Sequence, residues 1–190
     1  MKTKIVAATT NAGKLAEIRT ILSDFEIVSA AEVGFHDDVE ETGTTFIENA
    51  LLKARAVCRV TGLPALGDDS GLCVDALDGA PGIYSARYSG QGMVANRQLL
   101  LANLKDQTNR AAHFNCAVAL VYPDGREFTA EGQTYGTITT AEQGANGFGY
   151  DCLFFSDELG KTFAMSTADE KNAVSHRGRA LKNLLAVIKH

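Results

Sequence analysis

The chain has 190 residues, of which 45% are hydrophobic and 22% are charged, and its formal net charge at pH 7 is -5. These values are ordinary for a soluble globular protein and exclude the disordered and fibrous classes. The acidic balance gives no overall attraction to polyanions, so we expect no nucleic-acid polymer as a partner. We expect residues 1–190 to form a single domain, with one or two lobes.

The cysteines and the apolar runs of the sequence indicate the cellular compartment of the protein. The four cysteines lie far apart, contain no CxxC pair and have apolar neighbours, which predicts reduced core residues rather than disulfides or a zinc site. The apolar run within Met1–Ala8 is too short for a signal peptide, and no segment approaches the length of a membrane span. We therefore expect a cytoplasmic protein that does not bind membranes.

The N-terminal segment predicts a strand, a polar loop and a helix. Residues 5–8 form a buried apolar run, residues 9–14 are polar, and a helical pattern follows to about Leu22. Backbone N–H donors at a helix start, with Lys14 beside them, suit an anion such as phosphate. The loop is not a Walker loop, because Ala8 stands where that loop requires glycine. An ordinary capped helix start is the alternative.

A second helix is predicted from about Thr45 to Val60. Thr45 and Glu48 have the capping-box spacing, and the apolar residues share one face, which leaves Asn49 and Lys53 together on another. The loop before this helix is acidic and contains Asp37, Asp38, Glu40 and Glu41. A solvated loop that complements the helix dipole explains most of these charges.

The segment Gly67-Asp68-Asp69-Ser70-Gly71 follows an apolar run and predicts a polar turn with two adjacent carboxylates at a strand end. Neighbouring side chains of an extended chain point to opposite faces, so we expect one carboxylate to enter a site and the other to anchor the turn. An acidic-loop residue is available to join Asp69 on magnesium, which takes hard oxygen ligands and retains waters. Taken alone, the motif also fits a solvated turn.

The C-terminal half predicts a hairpin and a glycine-rich loop. Alternating apolar residues predict a strand over 111–122, which the turn at 123–125 joins to a second strand at about 126–132. In the loop 144–151, glycines surround Phe148 and Tyr150 and a carboxylate ends the segment. An aromatic ring held on such a loop can stack on a flat base, although a turn anchored by buried aromatics is an equal alternative.

A final helix is predicted after Ser175, with Leu181, Leu184, Leu185 and Ile188 on its inner face. Lys171, His176 and Arg177 lie around its start and provide the donors that a purine and its phosphates would need. The mixture of strands and helices predicts an α/β fold. We expect a mixed central sheet flanked by helices, with two lobes around a nucleotide-binding cleft.

Taken together, these motifs closely resemble the inosine triphosphate pyrophosphatase family. The resemblance spans nearly the whole chain in the family's order. Its segments are Thr9–Lys14, Glu41–Ala50, Asp68–Leu72, Gly79–Tyr88, Gly147–Asp151 and Ser175–Gly178. Thr10 departs from the pattern, because many members of the family have glycine there.

The resemblance implies a magnesium-dependent enzyme that cleanses the nucleotide pool. It would hydrolyse the non-standard purine nucleotides ITP, dITP and XTP to the nucleoside monophosphate and pyrophosphate. In this interpretation Asp69 is the general base and holds Mg2+ with Glu40, while Glu41 is the competing second ligand. The family is typically homodimeric.

The resemblance also assigns the substrate contacts. Residues expected to neutralise the triphosphate are Thr9, Thr10, Asn11, Ala12, Gly13, Lys14, Lys53 and Lys171. Ser70 would contact the substrate, and residues expected around the base are Phe148, Gly149, Tyr150, Asp151, His176 and Arg177. Two alternatives stay open: a house-cleaning pyrophosphatase for modified pyrimidines, and a nucleotide-binding module without turnover.

Overall fold

A computed structural model describes residues 2–188 and contains one seven-stranded sheet. Its strands are β1 Lys4–Ala7, β2 Glu26–Ser29, β3 Ala65–Val74, β4 Ala111–Val121, β5 Glu127–Ile138, β6 Phe154–Ser156 and β7 Lys161–Thr162. They are ordered β2-β1-β3-β4-β5-β6-β7. β1 pairs in parallel with β2 and β3, whereas β6 pairs antiparallel with β5 and β7. The sheet is therefore mixed, as predicted.

Five α-helices accompany the sheet in the described part of the chain. They are α1 Ala12–Ile21, α2 Phe46–Thr61, α3 Met93–Asn103, α4 Ala168–Val174 and α5 His176–Ile188. The predicted capping box of α2 is confirmed, because the Glu48 amide donates to Thr45 Oγ1 and the Thr45 amide donates to Glu48 Oε2, each at 3.2 Å. Within residues 2–188, no helix is long and apolar enough to cross a membrane.

The chain divides into two compact units, and the first contains the described residues 2–69, 116–132 and 177–188. Its buried side chains follow the period of two that a strand dictates. Alternate residues of β1 and β4, such as Ile5 and Val118, pack with α1 and α5 in one core. The residues between them, such as Val6 and Ala119, pack with α2 in a second core. The helices α1 and α5 thus cover one face of these strands and α2 covers the other.

The second unit contains residues 70–115 and 133–176 and has a core of its own. This core is rich in aromatic rings: Phe114, Phe154 and Phe163 are buried with centroid separations of 4.7–6.1 Å. Leu72 of β3 and Leu100 of α3 complete the same cluster. Each unit therefore buries its own apolar side chains, and the assignment of the whole chain to a single domain stays a prediction.

The structure corrects two sequence-based boundaries. The segment 67–71 is not a turn, because β3 runs through it to Val74 and the buried Asp68 and Asp69 have side-chain partners. The second strand of the hairpin ends at Ile138 rather than near Gly132. In the part of β5 beyond the predicted end, the buried positions include Gly132, Thr134 and Gly136. The alternation of apolar and polar residues that identifies a strand is therefore missing there.

Gly67 permits the close approach of α2 to β3. A Cβ atom at this position would overlap the carbonyl oxygen of Ala50 in α2. We therefore expect Gly67→Ala to force the helix away from the strand and to lower the free energy of unfolding by about 2–3 kcal/mol. Urea titration checks this expectation. The matched control is Gly125→Ala, where the glycine has φ +89° and open space, so only backbone strain of about 1 kcal/mol is expected.

Candidate active site

The adjacent carboxylates of β3 have separate partners, as the alternation of an extended chain requires. Asp68 contacts Lys14, Arg177 and Cys116. Asp69 contacts Asn49 and Lys53 of α2. Both carboxylates are buried, so each set of contacts determines how its own charge is tolerated.

Asp69 lies against the polar face of α2. Asn49 and Lys53 are four residues apart and therefore share this face. The Asn49 amide donates to Asp69 Oδ2 at 3.2 Å, and Lys53 Nζ lies 3.5 Å from Asp69 Oδ1. Lys53 Nζ is also 2.5 Å from Glu41 Oε1, so one ammonium is shared by two carboxylates. The predicted grouping of Asn49 with Lys53 is confirmed, and Glu41 joins them.

The surroundings of Asp69 favour a basic carboxylate. Burial raises the pKa of Asp69 and the neighbouring Glu41 charge raises it further, while Lys53, Lys14 and the Asn49 hydrogen bond lower it. The net effect is a pKa above the ordinary aspartate value. A carboxylate with a raised pKa is a better proton acceptor than an exposed one, which is what general-base catalysis requires.

Glu41, rather than Glu40, lies beside Asp69. The two are linked through Lys53, whereas Glu40 is exposed. Among residues 2–188 no three His, Cys, Asp or Glu side chains are grouped as a metal site would need. Mg2+ commonly uses only one or two carboxylates and completes its shell with waters and substrate phosphates. The carboxylates of Asp69 and Glu41, which share Lys53, are of the kind that this ion takes.

Asp68 is the centre of a buried ion-pair network. Lys14 Nζ lies 2.5 Å from its Oδ1, and Arg177 Nε donates to its Oδ2 at 3.0 Å. Although burial raises the pKa of Asp68, the charges of Arg177, Lys14 and Lys53 hold it well below the ordinary value. Arg177 also binds Glu17 of α1 through Nη1.

Cys116 is a partner of Asp68 that the sequence did not indicate. Its thiol donates to Asp68 Oδ2 at 3.0 Å, and burial, followed by the Asp68 charge, raises the pKa of Cys116 well above its ordinary value. All four cysteines are free thiols. The prediction of a reduced core cysteine is confirmed for Cys116, which packs in the first core, and the sheet also places this β4 residue against a carboxylate of β3.

The polar loop 9–14 is a capped helix start. The Lys14 amide donates to the Asn11 side chain at 3.0 Å, and the Asn11 amide donates to Thr9 Oγ1 at 3.2 Å. Ala12 and Gly13 form the first turn of α1. Thr10, Asn11 and Ala12 are exposed. The Asn11 amide is engaged within the loop, and phosphate binding here stays a prediction.

The glycine-rich loop is held by a buried ion pair in the second unit. Asp151 Oδ2 accepts from the Phe148 amide at 2.9 Å and from Lys171 Nζ at 2.6 Å. Lys171 Nζ also lies 4.7 Å from the centroid of the Phe148 ring. Gly147 has φ +73°, and a Cβ there would overlap the Asp151 carboxylate. The Phe148 ring is half-buried, which leaves part of it exposed for stacking.

Other predicted base contacts have structural partners in the same unit. The Tyr150 hydroxyl donates to the Ser85 carbonyl at 2.8 Å, and burial raises the pKa of Tyr150 well above its ordinary value. The carbonyl of Gly149 accepts from Arg97 at 3.2 Å. His176 is buried and stacks on Phe114 with a centroid separation of 4.6 Å. Ser70 is half-buried in β3, and its substrate contact stays a prediction.

Comparisons with known proteins show the family to which the chain belongs. Residues 5–187 match the Ham1 family. The chain belongs to this family. It is 51% identical to a Streptomyces avermitilis protein and 52% identical to a Shigella flexneri protein, each named dITP/XTP pyrophosphatase, with 98% of both chains covered in each case. The solved structure of the Staphylococcus aureus Ham1 protein has a TM-score of 0.87 and 39% identity, with 98% of both chains covered.

Asp68 and Asp69 have different environments, so we expect their replacement by asparagine to change the free energy of unfolding in opposite directions. Asp68→Asn removes the carboxylate that binds Lys14 and the buried Arg177, and should cost about 3–5 kcal/mol in unfolding free energy at pH 7. Asp69→Asn removes a carboxylate whose charge burial disfavours, and should stabilise the fold by up to about 1 kcal/mol. Urea denaturation with EDTA measures both changes.

The pH dependence of these effects follows from the pKa directions. The raised pKa of Asp69 means that its ionisation destabilises the fold. The gain from Asp69→Asn should therefore grow as pH rises from the ordinary aspartate value through the raised pKa. The lowered pKa of Asp68 means that its stabilising effect is present above the ordinary value and is lost at lower pH. Equal effects at both positions would contradict this assignment.

Proposed function

We propose that this protein hydrolyses ITP, dITP and XTP to the nucleoside monophosphate and pyrophosphate, and so removes non-standard purines from the nucleotide pool. The names of its relatives support this activity. The observation that carries the proposal is the Asp69 carboxylate, which is buried between Asn49 and Lys53 with a raised pKa. A buried, basic carboxylate beside a lysine suits the activation of water near a polyphosphate.

The reaction requires a base and a place for the leaving group. Asp69 accepts a proton from water as the water oxygen bonds to the α-phosphorus. The bond between that phosphorus and the oxygen that bridges to the β-phosphate breaks, and pyrophosphate departs. Water is the only co-reactant, so no covalent intermediate is needed. Most of the catalysis then comes from positioning and from stabilisation of charge.

The first unit provides the groups for the triphosphate. The start of α1, where Thr10 and Ala12 are exposed, and the ammonium of Lys14 suit phosphate oxygens. Lys53 stands beside Asp69 and can neutralise charge near the attacked phosphorus. Lys171 was also expected to serve the phosphates. Its ammonium is bound to Asp151 beneath the Phe148 ring, and its role toward phosphate stays a prediction.

Mg2+ would be held by Asp69 and Glu41, because these carboxylates lie together around Lys53. The ion would neutralise phosphate oxygens and reduce the repulsion that the water meets at phosphorus. The sequence favoured Glu40 as the second ligand. The contacts favour Glu41, since this residue binds the lysine that lies beside Asp69, whereas Glu40 is exposed.

Phe148 and its loop are the proposed contacts for the base. The half-buried Phe148 ring can stack on a purine, and its loop is fixed by Asp151. Hypoxanthine and xanthine carry an acceptor oxygen at position six, where adenine carries an amino donor. Protein donors that face this position reject adenine, because each unpaired buried donor costs about 1–3 kcal/mol. A cytoplasmic location and a homodimer are further parts of the proposal.

Pyrophosphate release from a panel of nucleotides tests the function. With magnesium, we expect fast turnover of ITP, dITP and XTP and slow turnover of GTP, ATP and dUTP. Asp69→Asn should lower kcat for ITP by roughly 100-fold or more, since general-base catalysis contributes 10²–10⁴-fold. Fast turnover of a pyrimidine would favour the related pyrimidine enzyme. Tight binding of ITP without turnover would favour a binding module and reject the hydrolase.

Paired amide substitutions in the acidic loop test the magnesium ligand. Glu41→Gln should raise the magnesium concentration needed for half-maximal ITP hydrolysis roughly tenfold, because it removes one of the two carboxylates proposed to hold the ion. Glu40→Gln is the matched control, since this residue is exposed, and it should leave that concentration unchanged. The reverse result would return the assignment to Glu40. Magnesium titrations of both variants decide between them.

A further inference from the structure

Asn49 places a primary amide in the interior of the first unit, in the first turn of α2, where its side chain is 0% exposed. Such an amide has an acceptor at one end and donors at the other, and either end is costly to bury without a partner. Asn49 Oδ1 accepts from the Gly43 amide at 2.8 Å, and Nδ2 donates to Asp69 Oδ2 at 3.2 Å. An N–H requires an acceptor and a carboxylate requires a donor, so these two partners fix the orientation of the amide.

The Asn49 amide joins the acidic loop to β3. The segment 43–45 follows Glu41 closely, and its three successive backbone amides donate to the side chains of Glu48 and Asn49. These bonds attach the end of the acidic loop to the start of α2. Asn49 extends the connection to Asp69, because its other end holds that carboxylate.

A second connection between the same segments is charged. Lys53 lies one helical turn after Asn49, and its ammonium contacts Glu41 Oε1 and Asp69 Oδ1. Asp69 is therefore held at Oδ2 by an amide and at Oδ1 by an ammonium. The ammonium is also attracted to an approaching phosphate, whereas the amide is neutral. The amide is thus the connection that a charged substrate disturbs less.

The approach of the loop to Asn49 depends on a glycine. A Cβ atom on Gly43 would lie 2.6 Å from Asn49 Oδ1 and 2.7 Å from the Cβ of Glu48. Both separations are too short for real atoms, so a larger residue would move the loop or the amide. The hydrogen bond and the lack of space together determine where the loop that carries Glu41 meets α2.

We infer that Asn49 is a positioning residue for the proposed magnesium carboxylates, because it fixes Asp69 through Oδ2 and the Glu41 loop through Gly43. This inference rests on the proposed function and deepens it, since it adds a residue that acts through the two carboxylates rather than on the substrate. Side chains that orient metal-binding carboxylates affect metal affinity and activity by about 10- to 100-fold.

Asn49→Ala tests the inference, because it removes both hydrogen bonds. We expect kcat for ITP at saturating magnesium to fall roughly tenfold or more, and the magnesium concentration for half-maximal hydrolysis to rise roughly tenfold. KM for ITP should stay nearly unchanged, since the start of α1 and the Phe148 loop keep their own contacts.

Two measurements on Asn49→Ala are independent of turnover. Binding of Mn2+ without nucleotide, followed by electron paramagnetic resonance, should weaken by a factor similar to that for magnesium. In EDTA, hydrogen exchange at the Gly43 amide, followed by NMR, should become faster because the amide loses its acceptor.

Asn96→Ala is the matched control. Asn96 is 2% exposed and also bridges two segments, since its Oδ1 accepts from the Ser89 amide at 2.7 Å and its Nδ2 donates to the Ala86 carbonyl at 3.0 Å. This bridge lies in the second unit. Its removal should leave Mn2+ binding, the magnesium requirement and the exchange of Gly43 unchanged.

Gly43→Ala provides a second reading if a thermal melt shows that Asn49→Ala does not fold. It keeps the Asn49 amide but displaces it from the loop, so the magnesium requirement and the exchange at residue 43 should change in the same directions by smaller factors.

Three results separate the possible failures. Unchanged Mn2+ binding and magnesium requirement in folded Asn49→Ala, with faster exchange at Gly43, would make the amide purely structural and overturn the inference. An equal loss of Mn2+ binding in Asn96→Ala would overturn it as well. If the proposed function itself fails, the unsubstituted protein releases no pyrophosphate from ITP, while Mn2+ binding and amide exchange still report on Asn49.

Discussion

Two buried carboxylates on neighbouring residues of one strand are the constraint on which the first unit depends. In the interior, Asp68 and Asp69 lose hydration and repel each other. Cations must accompany both carboxylates to offset this cost in free energy. Because strand side chains alternate, these cations must come from opposite faces of the sheet. Lys14 and Arg177 reach Asp68 from α1 and α5, while Lys53 reaches Asp69 from α2. The packing of three helices is thereby tied to the charge balance of one dipeptide.

The same alternation gives Asp68 and Asp69 different roles. Asp68 has two cations and a thiol on its oxygens, so it stays ionised and serves the architecture. Asp69 shares a single ammonium with Glu41, and burial raises its pKa. A carboxylate that is only partly compensated keeps affinity for a proton or a metal ion. A structural carboxylate and a proposed catalytic carboxylate are thus adjacent residues of one strand.

The second unit also contains a buried ion pair, but this pair stabilises a loop. Lys171 and Asp151 are both buried and bind each other, and Asp151 also holds the amide of Phe148. The ion pair therefore stabilises a loop whose glycines allow the sharp turn at Gly147. Its loss of hydration is offset by hydrogen bonds and by the contact of the ammonium with the aromatic ring. The result is a rigid support for one half-buried aromatic side chain.

Local patterns determined much of the fold from the sequence. The capping box of α2, the inner face of α5 and the strand predicted at β4 depend on residues close together in the chain, and each was confirmed. The grouping of Asn49 with Lys53 followed from helical periodicity alone. Boundaries were missed where small or polar residues occupy inward positions, as in β3 and β5, because tertiary contacts satisfy them there.

Partnerships between distant residues were decided only by the tertiary structure. Nothing in the order of residues indicates that Cys116 and Arg177 meet the same oxygen of Asp68, or that Glu41 rather than Glu40 shares Lys53 with Asp69. Motifs identify which side chains are available for chemistry. The packing of the sheet and helices decides which charges become neighbours, and it is the neighbouring charge that makes one aspartate a structural ion and the next a base.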